Sequence, residues 1–520
     1  MQTTLETEKN KDTLPSKFAD ILGVKYTSTV SKEHKKGKGQ FFTPTAISNF
    51  MGNIATEPNS RDISILDPGC GTAILICSLI EKLIEFDLNS IQLVAYETDI
   101  TLFPYTEQSL QHLKQWCKER EVKFSYTLLT SDFIEDMAKS MENHIETFDY
   151  IISNPPYFKL AKDDKRVKLL QNLVKGQPNI YSFFLAVSVN LLKNDGELIY
   201  IVPRSFASGQ YFNSFRDYFF SNINLNFIHL FKSRSETFDR DSVLQETLIL
   251  KGSKDNSTEV IVSTSEGLKD IQEPLQKTFD VSDLIDLNSK AKILHLPTTE
   301  YEENVIHLFK SWNSNLIDFG IQISTGPVVS FRSREFLFDN YQNSTVFLAP
   351  LYWLHNVTKM QAEWPNFVPN KSQYINKTEI SKKMLTVNKN YVFLRRFSSK
   401  DDKSRLIASP YFSRFNDSDY IGIENKLNYI YRLDGELQEN EAVGISAILN
   451  SKVFDTYFRT FNGNVNVSAT EIRLMPFPTI EIIREVGNTL IEQNNFSQEI
   501  IDSIVNQWLE QNILAFNEQN

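Results

Sequence analysis

The sequence predicts an α/β chain in which a doubly wound, mostly parallel sheet with an antiparallel edge hairpin precedes an α+β domain. Three observations carry this. From Ile63 to about Leu250, apolar runs of strand length alternate with helix-like runs, the rhythm of a parallel sheet covered on both faces. Two of the runs stop abruptly in turns: Ile65-Leu66-Asp67 enters Pro68-Gly69-Cys70-Gly71-Thr72, and Phe148 to Ser153 enters Asn154-Pro155-Pro156-Tyr157. From about residue 301 the rhythm gives way to irregular short runs with Trp, Tyr, Asn and Arg.

In chain order, residues 1–60 read as mostly helical, interrupted by the basic, Gly-containing segment Lys35 to Gln40. Phe41-Phe42-Thr43-Pro44-Thr45 then opens a helix running through Ala46, Met51 and Ile54. Strands are expected at 62–66, 91–96, 122–130, 147–153, 197–203, 225–232 and 243–250, and helices at 72–86, 101–118, 179–193 and 211–221. No clear helix separates the last two strands, which predicts the edge hairpin. The polar stretch Lys251 to Ser257 marks the end of a first domain at about residue 255, 256–300 reads as a linker region, and 301–520 forms the second domain with an acidic helical tail. Within it, 354–405 holds eleven Lys/Arg against four Asp/Glu, a local +7 that is either a solvated face or a binding face.

Composition limits the function classes. A chain of 520 residues exceeds one ordinary core, so two domains are expected. Asp and Glu outnumber Lys and Arg by 65 to 54, for a net charge of -11, which argues against nonspecific coating of nucleic acid but allows a local basic face. Cys70, Cys77 and Cys117 form no CxxC pair and no Cys/His cluster. Neither a disulfide framework nor a metal site is expected, and a reducing cytoplasm fits. The segment from Met1 is polar, and no run reaches the roughly 18 apolar residues of a membrane span. A soluble cytoplasmic protein without membrane or metal partner is the expectation.

The two abrupt turns are where open α/β sheets bind ligands. Gly69 and Gly71 allow close backbone approach to a ligand, and the lack of a third Gly disfavours a dinucleotide site. The next strand ends at Glu97, whose carboxylate can accept both hydroxyls of a ribose; Asp99 is the competing assignment. The following strand ends at Asp132-Phe133, a carboxylate for an adenine amino group and a ring to cover the base. Taken singly, each carboxylate is also an ordinary helix cap. At Asn154-Pro155-Pro156-Tyr157, the Asn154 side-chain oxygen and the Pro155 carbonyl can accept the two N–H protons of a planar amine while Tyr157 stacks on its ring. Acceptors placed there localise the nitrogen lone pair where charge develops. Together the turns predict direct methyl transfer from S-adenosyl-L-methionine to a nitrogen.

These residues resemble the γ-class, TaqI-like, S-adenosylmethionine-dependent DNA adenine-N6 methyltransferases of type II restriction-modification systems. The shared order is Gly39-Gln40-Phe41-Phe42-Thr43-Pro44, then Asp67 to Gly71, then Asn154 to Tyr157, then a recognition domain past residue 300, so the resemblance spans essentially the whole chain. It departs at Ala73-Ile74, where relatives often carry Gly and Phe. The resemblance implies a Rossmann-like methyltransferase sheet and a C-terminal target-recognition domain. It implies a cofactor site of Gln40, Thr43, Asp67, Gly69, Gly71, Glu97, Asp132, Phe133 and Asn154, with Thr43 at the methionine part. It implies catalysis by Asn154, Pro155, Pro156 and Tyr157, with Phe238 on the other face of a flipped base, although Phe238 reads equally as a core residue. Double-stranded DNA would be held by Lys382, Lys383, Arg395, Arg396, Lys400, Asn462 and Asn464, though Asn462-Gly463 also fits a plain hairpin turn. A monomer is expected, with any cognate restriction endonuclease encoded separately.

The same tetrapeptide suits cytosine N4, a guanine amine in RNA or a protein glutamine. The large second domain and the Gly39 to Pro44 element favour DNA. A DNA-binding module that has lost catalysis would show decay at Asn154 or Gly71, and neither is decayed.

Overall fold

A computed structural model of the chain describes residues 13–40, 42–138, 146–171, 173–174, 179–232, 246–339, 347–399 and 401–517, apart from the side chains of Lys36 and of residues beyond 509. It divides into two compact units, Met1–Leu296 and Pro297–Asn520.

The first unit is built on strands β1 (Asp62–Asp67), β2 (Ser90–Tyr96), β3 (Lys123–Leu129), β4 (Phe148–Ser153), β5 (Leu192–Pro203), β6 (Asn224–Phe231), β7 (Thr247–Ser253), β8 (Glu259–Ser265) and β9 (Leu275–Asp280). Among the described residues they form one sheet in the order β3-β2-β1-β4-β5-β7-β6-β8-β9. β3, β2, β1, β4 and β5 are mutually parallel. Side chains alternate between two cores, as a pleated strand requires. Ile65, Tyr150 and Ile152 pack with the helices Thr45–Asn53, Ile74–Leu83 and Phe103–Lys118. Leu66, Ile151 and Leu198 pack on the other face with Ile180–Leu191 and Asn213–Asn222. Burial on both faces is why β1 and β4 read as continuous apolar runs. The mixed α/β architecture is the Rossmann-like fold the sequence predicts.

Two expectations need correction. Residues 256–300 are not a linker: β8 pairs parallel with β6, β9 pairs antiparallel with β8, and the unit runs to Leu296. The polar stretch at Lys254 to Ser257 is the short turn from β7 to β8, and a polar turn is no domain boundary when β-branched Val260, Ile261 and Val262 follow. The antiparallel pair β6–β7 exists, but β7 lies between β5 and β6 and pairs antiparallel with both, so it is internal rather than an edge hairpin.

The second unit is α+β. The strands Ile321–Thr325, Leu427–Arg432, Tyr391–Arg395 and Ala408–Tyr411 form an antiparallel sheet in that order. A second, mixed sheet includes Leu348–Tyr352 paired parallel with Tyr420–Ile423. Tyr352, Tyr391, Phe393 and Tyr411 fill the core that covers the antiparallel sheet. The helices Glu439–Asn450, Lys452–Phe461, Ile480–Gln493 and Gln498–Asn517 complete the unit.

Candidate active site

The carboxyl ends of β4, β1, β2 and β3 open on one cavity of about 290 Å³. Gly69, Gly71, Glu97, Asp132, Phe133, Asn154 and Pro156 line it, together with Gln40 from the N-terminal segment. Most of the residues expected at a cofactor and reaction centre are thus brought together. Thr43 and Asp67 are buried just outside this lining.

The turn after β1 is shaped to admit a ligand. Gly71 has a φ of 55°, and a Cβ there would sit 3.7 Å from the Phe42 ring. Ala73 also lies in the left-handed region, at φ 66°, a conformation that costs a non-Gly residue roughly 1–2 kcal/mol. Gly39, at φ 65°, brings the N-terminal segment against the turn after β4: a Cβ there would meet the Phe158 ring at 3.0 Å and Pro156 at 3.1 Å.

Asp67 Oδ1 accepts the Gly69 N–H at 3.0 Å, while Oδ2 is buried without a hydrogen bond of good geometry. Burial pushes this carboxyl up to about 7, against the pull of the Gly69 N–H. Burial likewise pushes Glu97 up to about 7, opposed by the Asp99 N–H that its Oε1 accepts at 2.7 Å. Two acidic groups thus straddle neutrality beside one cavity.

Glu97 and Asp99 separate clearly. Asp99 Oδ2 receives the Tyr26 hydroxyl at 2.8 Å, His34 Nε2 at 2.8 Å and Gln40 Nε2 at 2.9 Å, and its Oδ1 receives the Thr101 N–H and hydroxyl. Burial works against ionisation there, but the hydrogen bonds from Thr101, His34 and Tyr26 hold the carboxyl well below the usual range. Asp99 anchors the N-terminal segment to the end of β2, and Glu97 is the carboxylate in the cavity wall. Gln40, oriented through its Nε2, keeps its Oε1 buried and without a hydrogen-bond partner among the described residues.

Asp132 caps the helix Phe133–Met137, its Oδ1 accepting the Glu135 N–H at 3.1 Å. Its Oδ2 lies 3.3 Å from Arg166 Nη1. At the reaction end, Asn154 Nδ2 donates to Thr43 Oγ1 at 3.0 Å, which orients the carboxamide. The Tyr157 hydroxyl lies 2.6 Å from Asn154 Oδ1 and 2.9 Å from the Ile201 carbonyl, donating between them. Burial raises this phenol well above its ordinary value, so it remains a donor.

The whole chain has close counterparts. The Eco57I restriction-modification methylase family pattern matches residues 75–238. Type II methyltransferase M.PstI of Providencia stuartii is 32% identical over 498 residues, covering 95% of this chain and 97% of that one. Type II methyltransferase M.BsuBI of Bacillus subtilis is 33% identical over 485 residues, covering 91% and 94%.

The chain belongs to the type II restriction-modification methyltransferases.

At the level of fold, the methyltransferase also resembles the type IIL restriction-modification enzyme MmeI, whose structure was solved in complex with DNA: the TM-score is 0.53 at 12% identity, covering 95% of this chain and 72% of that one.

The expected DNA contacts of this methyltransferase divide sharply. Lys382 and Lys383 are exposed on a short turn of helix, and Arg396 is half-buried with Nη1 on the Asn425 carbonyl at 3.0 Å. Arg395 is half-buried and donates from Nε to the Val357 carbonyl at 2.7 Å. Asn462 does not face solvent: it is 1% exposed, its Oδ1 accepting from Arg405 and its Nδ2 donating to Glu471 and the Asn466 carbonyl. A buried carboxamide with both ends engaged holds its own loop and reads no base. The neighbouring Asn464 carbonyl also accepts from Arg405, and its residue is half-buried. Arg405, one of the basic residues of 354–405, is itself fully buried. Phe238 and Lys400 lie outside the described residues.

The motifs did not reveal Arg166, Phe158 or Phe184, all of which line the cavity of this methyltransferase. Phe158 could have been found from its place directly after Tyr157; Arg166 had no sequence signal beyond the nearby Asp164. Among the described residues no group of three or more His, Cys, Asp or Glu could hold a metal ion, and no helix is long and apolar enough to cross a membrane.

Proposed function

We propose that the protein transfers a methyl group from S-adenosyl-L-methionine to the N6 amino group of a flipped adenine in a short duplex DNA sequence. It would thereby protect host DNA from a separately encoded restriction endonuclease. The observation that carries this reading is one cavity joining the oriented carboxamide of Asn154 to the successive strand-end carboxylates Glu97 and Asp132. The residues fit the cofactor. Gly69 and Gly71 line the cavity without side chains of their own, and Gln40 Oε1 is a buried acceptor with no donor among the described residues. Glu97 would accept from the ribose hydroxyls, Asp132 from the adenine amino group, and Phe133 would cover the base. The bound sulfonium supplies an electrophilic methyl group.

The chain's own task is to prepare the nitrogen. Thr43 and Tyr157 fix the Asn154 carboxamide from its two ends, so Oδ1 cannot rotate away. An amide oxygen accepts two hydrogen bonds, so Oδ1 can serve Tyr157 and one N–H of the target amine. The Pro155 carbonyl would take the second N–H. Both acceptors draw the nitrogen toward tetrahedral geometry and strengthen as it gains positive charge, which is stabilisation of the transition state rather than of the substrate. The Tyr157 ring would stack on the flipped base while its hydroxyl stays anchored.

Expression in a host lacking adenine methylation, followed by modification-sensitive single-molecule sequencing of its DNA, tests this. N6-methyladenine confined to one short motif is the expected result. N4-methylcytosine instead would move the assignment to the sibling amine, and unmodified DNA beside soluble, cofactor-binding protein would overturn DNA as substrate.

A further inference from the structure

Arg166 enters the cavity from the short helix Lys165–Leu169, beyond the catalytic tetrapeptide. Its guanidinium is committed on one edge. Nε donates to Asp164 Oδ1 at 2.9 Å and Nη2 to Asp164 Oδ2 at 2.7 Å, and the same Oδ1 accepts the Arg166 backbone N–H at 2.9 Å. A planar fork held bidentately on one carboxylate has no rotational freedom left. The remaining corner, Nη1, therefore points at a fixed place, and 3.3 Å away lies Asp132 Oδ2. The side chains of Arg166, Asp164 and Asp132 are 20%, 20% and 30% exposed, so the triad sits at the rim of the cavity rather than free in water.

We infer that Arg166 is a positioning residue that makes Asp132 selective for adenine over other purines at the cofactor's base. This rests on reading the cavity as the S-adenosylmethionine site. Asp132 has its Oδ1 fixed by the cap on Glu135, and its Oδ2 is restrained by a single long contact to Arg166. One corner contact steadies the oxygen without consuming it, because a carboxylate oxygen still has acceptor capacity. A 6-amino group would donate to that oxygen. A 6-oxo group would set acceptor against acceptor, and a site built around a hydrogen bond rejects a ligand that cannot make it. An unrestrained arginine could swing to greet the oxo group and erase the discrimination. Asp164 prevents this by holding the fork. The arrangement of three residues, two acidic and one basic, thus acts as a filter for the exocyclic amine.

The test is calorimetric titration of the whole protein with S-adenosylhomocysteine and with its hypoxanthine counterpart, reading the ratio of the two affinities. In Arg166→Met the ratio is expected to fall about tenfold, with most of the loss in the adenine ligand. Asp164→Asn, which keeps the backbone cap but loses the bidentate grip, should lower the ratio in the same direction. Arg166→Lys should not restore it, since an ammonium cannot hold Asp164 and Asp132 at once in a fixed plane. In an Asp132→Asn background, Arg166→Met should leave the ratio where Asp132→Asn alone puts it. Equal weakening of both ligands in Arg166→Met and Asp164→Asn would overturn the inference, because a merely structural role lowers both affinities together. An Asp132→Asn ratio equal to that of the wild-type protein would remove Asp132 as the reader and this inference with it. Failure of the wild-type protein to bind either ligand would instead overturn the cofactor reading itself.

Discussion

The hydroxyl of Tyr157 stands 2.6 Å from Asn154 Oδ1, so the last residue of the Asn154-Pro155-Pro156-Tyr157 turn fixes the first. On the proposed mechanism, the ring that would stack on the base thereby also sets the acceptor that would meet the base's amine. Tyr157→Phe separates the two roles. The ring stays and the hydroxyl goes, while the hydrogen bond to Thr43 still holds the other end of the carboxamide. Turnover should fall about tenfold, with cofactor affinity within about twofold of wild type. Asn154→Ala, by contrast, should abolish methylation while DNA binding persists. Single-turnover kinetics with a labelled methyl donor would separate the two cases, and wild-type turnover by Asn154→Ala would remove Asn154 from the mechanism.

The carboxyls of Asp67 and Glu97 titrate near neutrality because burial raises both to about 7. Their folded values lie above the unfolded ones, so the protons they hold stabilise the fold. That contribution is fully present below about pH 4 and is lost as the pH rises through about 7. On the proposed cofactor reading, binding would have the opposite sign, since hydroxyl donors and a cationic sulfonium both favour carboxylates. The increase in Tm caused by saturating cofactor should therefore grow between about pH 5.5 and 8.5. Glu97→Gln should flatten the trend. A pH-independent increment in the wild-type protein would show that neither carboxyl faces the ligand.

Asp99 gathers donors from Tyr26, His34 and Gln40, three points along the N-terminal segment. Asp99→Ala should strand all of them at a cost of about 2–4 kcal/mol. Lys32 and Lys38 are already exposed but lie in the helix Lys32–Lys38, and the loosened segment should let trypsin reach their backbone. Faster tryptic cleavage there, together with weaker cofactor binding, is the expected pair of results, and unchanged cleavage rates would deny Asp99 its anchoring role.

In the second unit, the basic residues differ sharply in exposure, from Lys382 and Lys383 at the surface to fully buried Arg405. Replacing Lys382 and Lys383 with Ala should leave Tm unchanged and reduce the dependence of log K on log salt for DNA by about 2. Arg405→Met should do the reverse. It removes the Arg405 donor from the Ser398 hydroxyl, from the Asn464 carbonyl and from Asn462 Oδ1, which keeps only the Asn464 N–H, lowering stability by about 2–4 kcal/mol. Thermal denaturation and a salt titration of DNA affinity check both. A salt slope unaltered by the double lysine substitution would take that pair out of the interface.

What the sequence made legible follows from what punctuates a chain. β1 and β4 could be located because Pro68-Gly69 and Asn154-Pro155-Pro156 end them sharply, and those same turns supply the site. β8 and β9 were missed because a strand at the far side of a sheet is defined by its partner. The β-branched run Val260 to Val262 marks Glu259 to Ser265 as a strand, but its place in the sheet comes from its register with β6, more than thirty residues earlier in the chain, which no local pattern records. Glu97 and Asp99 are equivalent as letters, and it is the fold that tells them apart, by the side chains of Tyr26, His34, Gln40 and Thr101 converging on Asp99 and by Glu97 facing the cavity. Arg395, Arg405 and Asn462 looked like surface groups because charge and polarity in a sequence carry no information about burial. Arg166 was invisible for a related reason: its role comes from a fork geometry that exists only once Asp164 and Asp132 are in place.

The insertion of β7 between β5 and β6 imposes an order on biosynthesis. β6 leaves the ribosome before its place in the sheet exists, because the strand that joins it to β5 begins only at Thr247. Until then β5 and β6 each present an open row of backbone donors and acceptors, the configuration most prone to pairing with another chain. A nascent chain halted before Thr247 should thus be aggregation-prone, whereas one extended past Ser253 can close the gap in a single step.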